Sequence, residues 1–188
     1  MSRPIEYNKT KVLGSAMRTF WKLGYDATTM KELVAITGLN TRTMYKLFDS
    51  KQGIFHAALE WYYDTMVLDA FTELQNGIGI NAIEKYIQRA VIGYELSMGC
   101  MFSNTVSDRY NICENSLLFV DDFFNKLESV FEEKLKYANE NESFKGNPSN
   151  TATKLIIMLQ GASIYTKNKQ PAEITSILYD EIISILRN

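Results

Sequence analysis

Between residues 29 and 48 the chain permits little besides two short helices joined by a tight turn. Thr29-Met30-Lys31-Glu32 is a capping box, in which the threonine hydroxyl and the glutamate each satisfy an amide left free at a helix start. Leu33 and Ile36 give that helix an apolar side, and Gly38 stops it, since glycine reaches positive φ without steric cost. Asn40 then caps a second short helix over residues 41–48. Leu33, Leu39, Met44 and Phe48 form the side that packs inward, against an earlier helix whose Leu13, Ala16, Met17, Phe20 and Trp21 recur at three- and four-residue steps before Gly24 ends it in a left-handed conformation. Thr41, Arg42, Thr43, Tyr45 and Lys46 are left facing outward. This is the helix-turn-helix arrangement, whose second helix enters the major groove of DNA. A polar, cationic, hydrogen-bonding surface is what base edges and phosphates require.

The net charge of −2 looks wrong for such a role until it is divided along the chain. Residues 1–55 hold nine basic and four acidic side chains, and the remainder holds eleven and eighteen. Binding to a phosphate backbone depends on local charge at the contact face, so the pattern suggests a basic reader on an acidic body. No apolar run approaches the roughly 18 residues that span a bilayer, and the N-terminus lacks the apolar core of a secretory signal. The expected location is therefore the cytoplasm, without membrane association. Cys100 and Cys113 fit no zinc spacing, and His56 is the single histidine, so no metal site and no cofactor is expected. A paired nucleophile and base, and a phosphate-cradling glycine loop, are also lacking, which argues against an enzyme.

The rest of the chain also reads as helix. A long helix is expected from residue 51 to about 74, capped by Ser50, then a loop at Asn76-Gly77-Ile78-Gly79. Further helices are expected over about 81–98, 100–108, 117–137, 149–166 and 171–186, with a polar loop over 139–148. No strand pattern or repeat is present. The fold class is all-α, with a helix-turn-helix domain over residues 1–53 and a helical ligand-binding and dimerisation domain over 54–188.

Residues 13–51 resemble the DNA-binding domain of the tetracycline-repressor (TetR) family. The resemblance is carried by Ala16, Phe20, Gly24-Tyr25, Thr28-Thr29-Met30, Leu33, Gly38-Leu39, Thr43-Met44-Tyr45, Phe48 and Ser50-Lys51. The later helices are similar to the family's regulatory body in layout, and residues 99–105 look like a segment common in one branch. Val34 and Thr37 stand where alanine is usual, Arg42 where a small residue is common, and Gly53 where glutamate is frequent. The resemblance implies a homodimer, two readers on a palindromic double-stranded operator, and repression relieved by a small-molecule effector.

Arg42 is the leading base reader, because its guanidinium can engage two acceptors on guanine. Thr41 and Thr43 are assigned to bases or phosphates, and Tyr45, Lys46 and Lys51 to phosphates, Lys51 at the amide-rich start of the fourth helix. Thr29 and Asn40, at the two helix starts, complete the set. Trp61, Tyr62, Tyr86, Tyr94, Met98, Phe102, Phe119, Phe123 and Met158 are candidates to line an apolar pocket, with Asn104 and Arg109 as polar groups. At helical spacing most such apolar residues are simply core, and Asn104 and Arg109 could equally make helix-capping or surface contacts. The last two helices offer a dimer face in Leu155, Ile156, Leu159, Ile164, Ile174, Ile177, Leu178, Ile182 and Ile185. Two alternatives stay open, a DNA-binding regulator without an inducer and a redox or electrophile sensor built on Cys100 or Cys113.

Overall fold

The computed structural model describes residues 7–92, 98–167 and 172–187. Helices α1 (Lys9–Leu23), α2 (Met30–Thr37) and α3 (Thr41–Phe48) come first. α4 (Lys51–Tyr62) then continues through one π-helical turn, Tyr63–Val67, into α5 (Leu68–Asn76). α6 (Gly79–Ile92), α7 (Met101–Ser107), α8 (Glu114–Asn141), α9 (Pro148–Thr166) and α10 (Ala172–Ser184) complete the body. Among the described residues there is no strand, so the all-α expectation holds. None of the described helices is long and apolar enough to cross a membrane.

Each N-terminal helix starts where its sequence supplies a side-chain acceptor. Asn8 Oδ1 accepts from the Lys11 amide at 2.9 Å, Asn40 Oδ1 from Thr43 at 2.9 Å, and Ser50 Oγ from Gly53 at 3.1 Å. Such a cap is worth about 1 kcal/mol. Gly38 ends α2 in the left-handed region, at φ 73° and ψ 6°. Gly24 ends α1 at φ 83° but with ψ 169°, outside the left-handed helical region expected for it. α1 then lies across α4 and α2. Phe20 meets Phe55 edge-on at 5.0 Å and Trp21 meets Tyr62 at 5.1 Å.

The body wraps a second layer around α8, which packs against α9 and α6, while α10 lies on α6. The buried apolar side chains form one connected cluster from Val12 to Leu186, so the N-terminal helices and the body share a core. Several boundaries differ from those expected. α8 begins at 114 and runs to 141 rather than over 117–137. Nothing in Asn139-Glu140-Asn141 breaks a helix, and Asn139 Nδ2 donates to the carbonyls of Phe144 and Gly146, folding the chain back only beyond it. Phe144, 1% exposed, anchors that short turn. α6 starts inside the expected loop, at Gly79, with the Ile80 amide donating to Glu142 Oε2 at 3.2 Å. Nearly buried Lys134 caps the end of α5 by donating to the Gln75 carbonyl at 2.8 Å.

The expected dimer face divides. Leu155, Ile156 and Ile182 belong to the core of their own chain, because α8 and α6 cover the sides on which they lie. Leu159, Leu178 and Ile185 are partly covered, Ile164 and Ile177 are half exposed, and the side chain of Ile174 lies outside the described residues. Ile157 and Tyr165, not singled out from sequence, join Ile164 on the open side of α9.

The α3–α4 turn is unusually tight. Asp49 sits at φ 61° and ψ −39°, and the Ser50 amide donates to the Phe48 carbonyl at 2.7 Å, which makes a γ-turn. A Cβ on Gly53 would stand 1.9 Å from that same carbonyl oxygen, so the turn closes as it does because position 53 has no side chain. Gly53→Ala should cost roughly 1–3 kcal/mol in urea unfolding, the usual range for overpacking a closed site. Gly14→Ala meets only ordinary van der Waals neighbours. It should be neutral or stabilising by up to about 1 kcal/mol, the helix-interior advantage of alanine. Equal effects of the two changes would refute this account of the turn.

Candidate functional site

α3 is amphipathic in the sense that matters for presenting a surface. Met44 is fully buried and Phe48 nearly so, fixing the helix from beneath, while Tyr7 packs edge-on to Phe48 at 6.1 Å. Thr41, Arg42, Tyr45 and Lys46 are exposed and Thr43 is half-buried. Neither Arg42 nor Lys46 has an ion-pair or hydrogen-bond partner among the described residues. Two unpaired cations, a phenol and two hydroxyls therefore share one helix face. Asn40 uses its carbonyl oxygen in the cap, which leaves its amide N–H groups directed away from the helix start.

The flanking groups are more constrained. Thr29 is committed locally: its hydroxyl donates to Glu32 Oε2 at 2.8 Å and accepts from the Glu32 amide at 3.2 Å, and its own amide donates to Glu32 Oε2 at 2.7 Å. Those bonds hold the Glu32 carboxyl below the ordinary glutamate range. Lys51 lies with its ammonium 4.3 Å from the Tyr25 ring centroid and 3.4 Å from the Asp26 carbonyl. It is thereby held beside the start of α4. Burial pushes the Tyr25 phenol up, with the Cys113 and Asp26 charges adding to it. Asp26 in turn accepts from Asn111 Nδ2 at 2.5 Å, a bond from the α1–α2 connection to the body.

Residues 12–58 match the sequence model of bacterial regulatory proteins of the tetR family. The HTH-type transcriptional repressor ComR of Escherichia coli is 40% identical over 62 residues, a match spanning 33% of this chain and 30% of ComR. Similarity of fold extends much further. A cysteine mutant of the TetR family regulator CifR, complexed with 26-bp double-strand operator DNA, superposes with a TM-score of 0.80 at 17% identity, over 98% of this chain and 100% of that one. Reduced NemR of Escherichia coli gives a TM-score of 0.79 at 19% identity, over 95% and 96% of the two chains. A TetR-family regulator from Cytophaga hutchinsonii gives 0.78 at 13% identity, over 97% and 96%. Residues 12–58 are thus similar to the tetR family in sequence, and the chain as a whole has the fold of these regulators.

The body encloses a cavity of about 70 Å³, lined by α4, the π-helical turn, α6, α7 and the residues just before it, α8 and α9. Of the residues singled out from sequence, Tyr62, Tyr86 and Phe123 line it. Phe102 lies behind the wall, fully buried between Tyr62 at 5.1 Å and Phe123 at 5.0 Å, and Phe119 packs edge-on to Phe102 and Tyr63. Trp61 faces the other way, under the Lys9 ammonium and beside Gly14 of α1. Met98 and Met158 are half-buried off the wall, and Tyr94 lies outside the described residues. Asn104 donates to the Met98 carbonyl at 3.1 Å, while its own Oδ1 is buried without a partner. Arg109 pairs with Asp121 through both nitrogens, and that bond raises its pKa further. Sequence reasoning passed over Gly99, Ser103, Gln160 and Ser163, which line the cavity. Small polar residues carry no periodic signal that would mark them.

The wall of the cavity is bonded directly to α1. Trp21 Nε1 donates to the Gly99 carbonyl at 3.0 Å, across 78 residues of sequence, and the ring of Trp21 rests on Tyr62. The Tyr62 hydroxyl donates to Cys100 Sγ at 3.6 Å, and the Cys100 amide to Ser163 Oγ at 2.6 Å.

The capping box yields a pH signature. The folded Glu32 carboxyl holds its proton less tightly than the unfolded one, so the cap contributes fully above the ordinary glutamate range and is lost as pH falls through the depressed value. Amide protection factors at residues 30–33 should therefore decline on acidification, and Glu32→Gln, which cannot titrate, should flatten that decline. An identical decline in the variant would remove the assignment.

Proposed function

We propose that the chain is a sequence-specific DNA-binding transcription regulator, a repressor acting as a homodimer on a palindromic operator and released by a small molecule. The observation that carries the reading is the outward face of α3, where Arg42 and Lys46 stand unpaired on a helix locked from below by Met44 and Phe48. A helix so presented fits the major groove. Support also comes from CifR, a structural relative, being complexed with operator DNA. Arg42 reads a base pair, and Thr41, Thr43 and Asn40 touch neighbouring edges or phosphates. Tyr45, Lys46 and Lys51 anchor phosphates, Lys51 already steered to the start of α4 by Tyr25. Thr29 contributes by fixing the start of α2, with its backbone at the phosphates. The division of labour falls near residue 53, the reader before it and the sensing and dimerising body after it.

The dimer face is the open side of α9 and α10, where Ile157, Ile164, Tyr165 and Ile177 are between 45% and 64% exposed. Apolar groups gathered on one side of two adjacent helices are better buried than left in water. Release works through the cavity wall: an occupant that displaces Gly99 or Tyr62 also displaces Trp21, and with it α1 and the spacing of the two readers. Its power is limited to the occupant's preference for the shifted state. A second reading, a thiol-based sensor, is favoured by Cys100 lining the same cavity as acceptor of the Tyr62 hydroxyl. Loss of DNA binding on mild oxidation, absent in Cys100→Ser, would establish it.

The roles on α3 separate experimentally, using an operator selected from random duplexes. Arg42→Ala should relax discrimination at one base pair by roughly 1–3 kcal/mol, whereas Lys46→Ala should weaken all sequences alike and lower the salt slope by about 1. Fluorescence anisotropy against operator variants over a range of salt measures both. Unchanged operator discrimination by Arg42→Ala would end that assignment.

A further inference from the structure

A groove of about 350 Å³ runs between the loop that precedes α9, the first two turns of α9 and Ile185, just beyond α10. It is separate from the cavity, to which α9 contributes only residues from Leu159 onward. Asn147, Asn150, Thr151 and Lys154 line the groove, at a spacing that sets them on one face of the helix start. Thr151 stands apart. Four other buried threonines, Thr28, Thr37, Thr105 and Thr166, each donate to the carbonyl four residues back. The Thr151 hydroxyl makes no such bond and has no partner among the described residues, although the residue is only 6% exposed. Its Oγ1 would lie 3.3 Å from a Cβ on Gly146, so the bare backbone at 146 leaves the hydroxyl open to the groove. That backbone is fixed by Asn139, whose Nδ2 donates to the Phe144 and Gly146 carbonyls, and by the buried ring of Phe144.

The groups around that hydroxyl are chiefly donors. Asn147 uses its Oδ1 to accept from the Asn150 amide at 2.9 Å, which leaves it N–H groups to offer. Lys154 is exposed, has no ion-pair partner among the described residues, and can only donate. Asn150 adds a second side-chain amide. The backbone of α9 is not the source of the preference: Pro148 has no N–H, and the Asn150 and Thr151 amides are already bonded to Asn147. The helix macrodipole adds positive potential at the same end. A buried hydroxyl free to donate, beside a cation and amide N–H groups, is matched by an oxyanion, because bonds to a charged acceptor are the shorter and stronger kind. In volume the groove falls in the lower range of small-molecule sites, and Ile185 gives it one apolar wall. We propose that it binds a small organic anion by a carboxylate or phosphate end, with Thr151 and Lys154 donating to the oxygens, the amides of Asn147 and Asn150 beside them, and the aliphatic part on Ile185. The assignment is independent of the regulator reading and of what occupies the cavity.

Butyrate, inorganic phosphate and butyramide separate charge from shape. Titrated by NMR into the full chain without DNA, at constant ionic strength, at least one of the two anions should give saturating shifts in the Thr151 methyl and the side-chain amides of Asn147 and Asn150. Butyramide, which has the shape of butyrate without its charge, should leave those signals in place. Saturation by phosphate alone assigns a phosphate end, by butyrate alone a carboxylate, and by both the oxyanion they share. Thr151→Val keeps the shape and removes the donor, and should weaken the bound anion about fivefold. Lys154→Gln, at an exposed position, should weaken it about threefold. An unchanged circular dichroism spectrum checks folding, and Lys154→Gln carries the test alone should Thr151→Val not fold. Failure of both anions to saturate these signals, butyramide binding as tightly as butyrate, or folded variants that bind as the parent does would each overturn the proposal.

Discussion

A buried indole needs a partner for its N–H, and in this chain the partner of Trp21 is a backbone carbonyl 78 residues away. Trp21 is 4% exposed and lies on Tyr62, so neither the nitrogen nor the ring can turn to water without opening the core. The acceptor is equally constrained. Gly99 holds φ 65°, and a Cβ there would stand 2.5 Å from the Ser163 carbonyl oxygen. Only a residue without a side chain lets α9 approach closely enough for the Cys100 amide to reach Ser163. One hydrogen bond thus ties the first helix to the segment before α7, and that segment to α9. Together with the packing of α1 on α4, it sets how the N-terminal helices lie against the body.

The reader itself is held by geometry of much shorter range. Caps at Asn8, Thr29, Asn40 and Ser50 all act within three residues of their partners, and Gly38 makes its turn alone. These features were legible in the sequence because the interacting groups are neighbours along the chain. Their consequence, a cationic face on α3, followed by elimination once Met44 and Phe48 were turned inward. The γ-turn at Asp49 was not legible. The sequence marks Gly53 as a departure from the family pattern without saying what it departs toward, since that depends on how closely the Phe48 carbonyl approaches.

The body shows where reading by period runs out. Helical spacing says which residues share a face, not which neighbour covers it. Trp61 and Tyr62 are adjacent, and both looked fit for a pocket, yet one turns under Lys9 toward α1 and the other forms the cavity wall. The same ambiguity put Leu155, Ile156 and Ile182 among residues expected between subunits, when they fill the core of their own chain. The π-helical turn adds a second source. In a regular α-helix residues five apart point about 140° away from each other, so Tyr62 and Val67 would not be expected on one wall. The wider turn over Tyr63–Val67 brings both to the cavity, and no residue in that stretch announces it.

That turn also bears on how a change in the cavity would travel. α4 carries Lys51 at its start, beside the reader, and Tyr62 at its end, on the cavity wall, about 17 Å apart at the rise of an α-helix. A stretch of unbroken helix this short moves as a rod, because bending it means stretching backbone hydrogen bonds. Beyond Tyr62 the backbone departs from α-helical pairing, and π turns inside helices frequently occur at functional sites. Compliance therefore lies on the body side of Tyr62 and stiffness on the reader side. Under the proposed release, a displacement of the Tyr62 ring would meet α4 and Trp21 together, and both connect to the surface that carries Arg42 and Lys46, through α1 and the closed turn at Gly53.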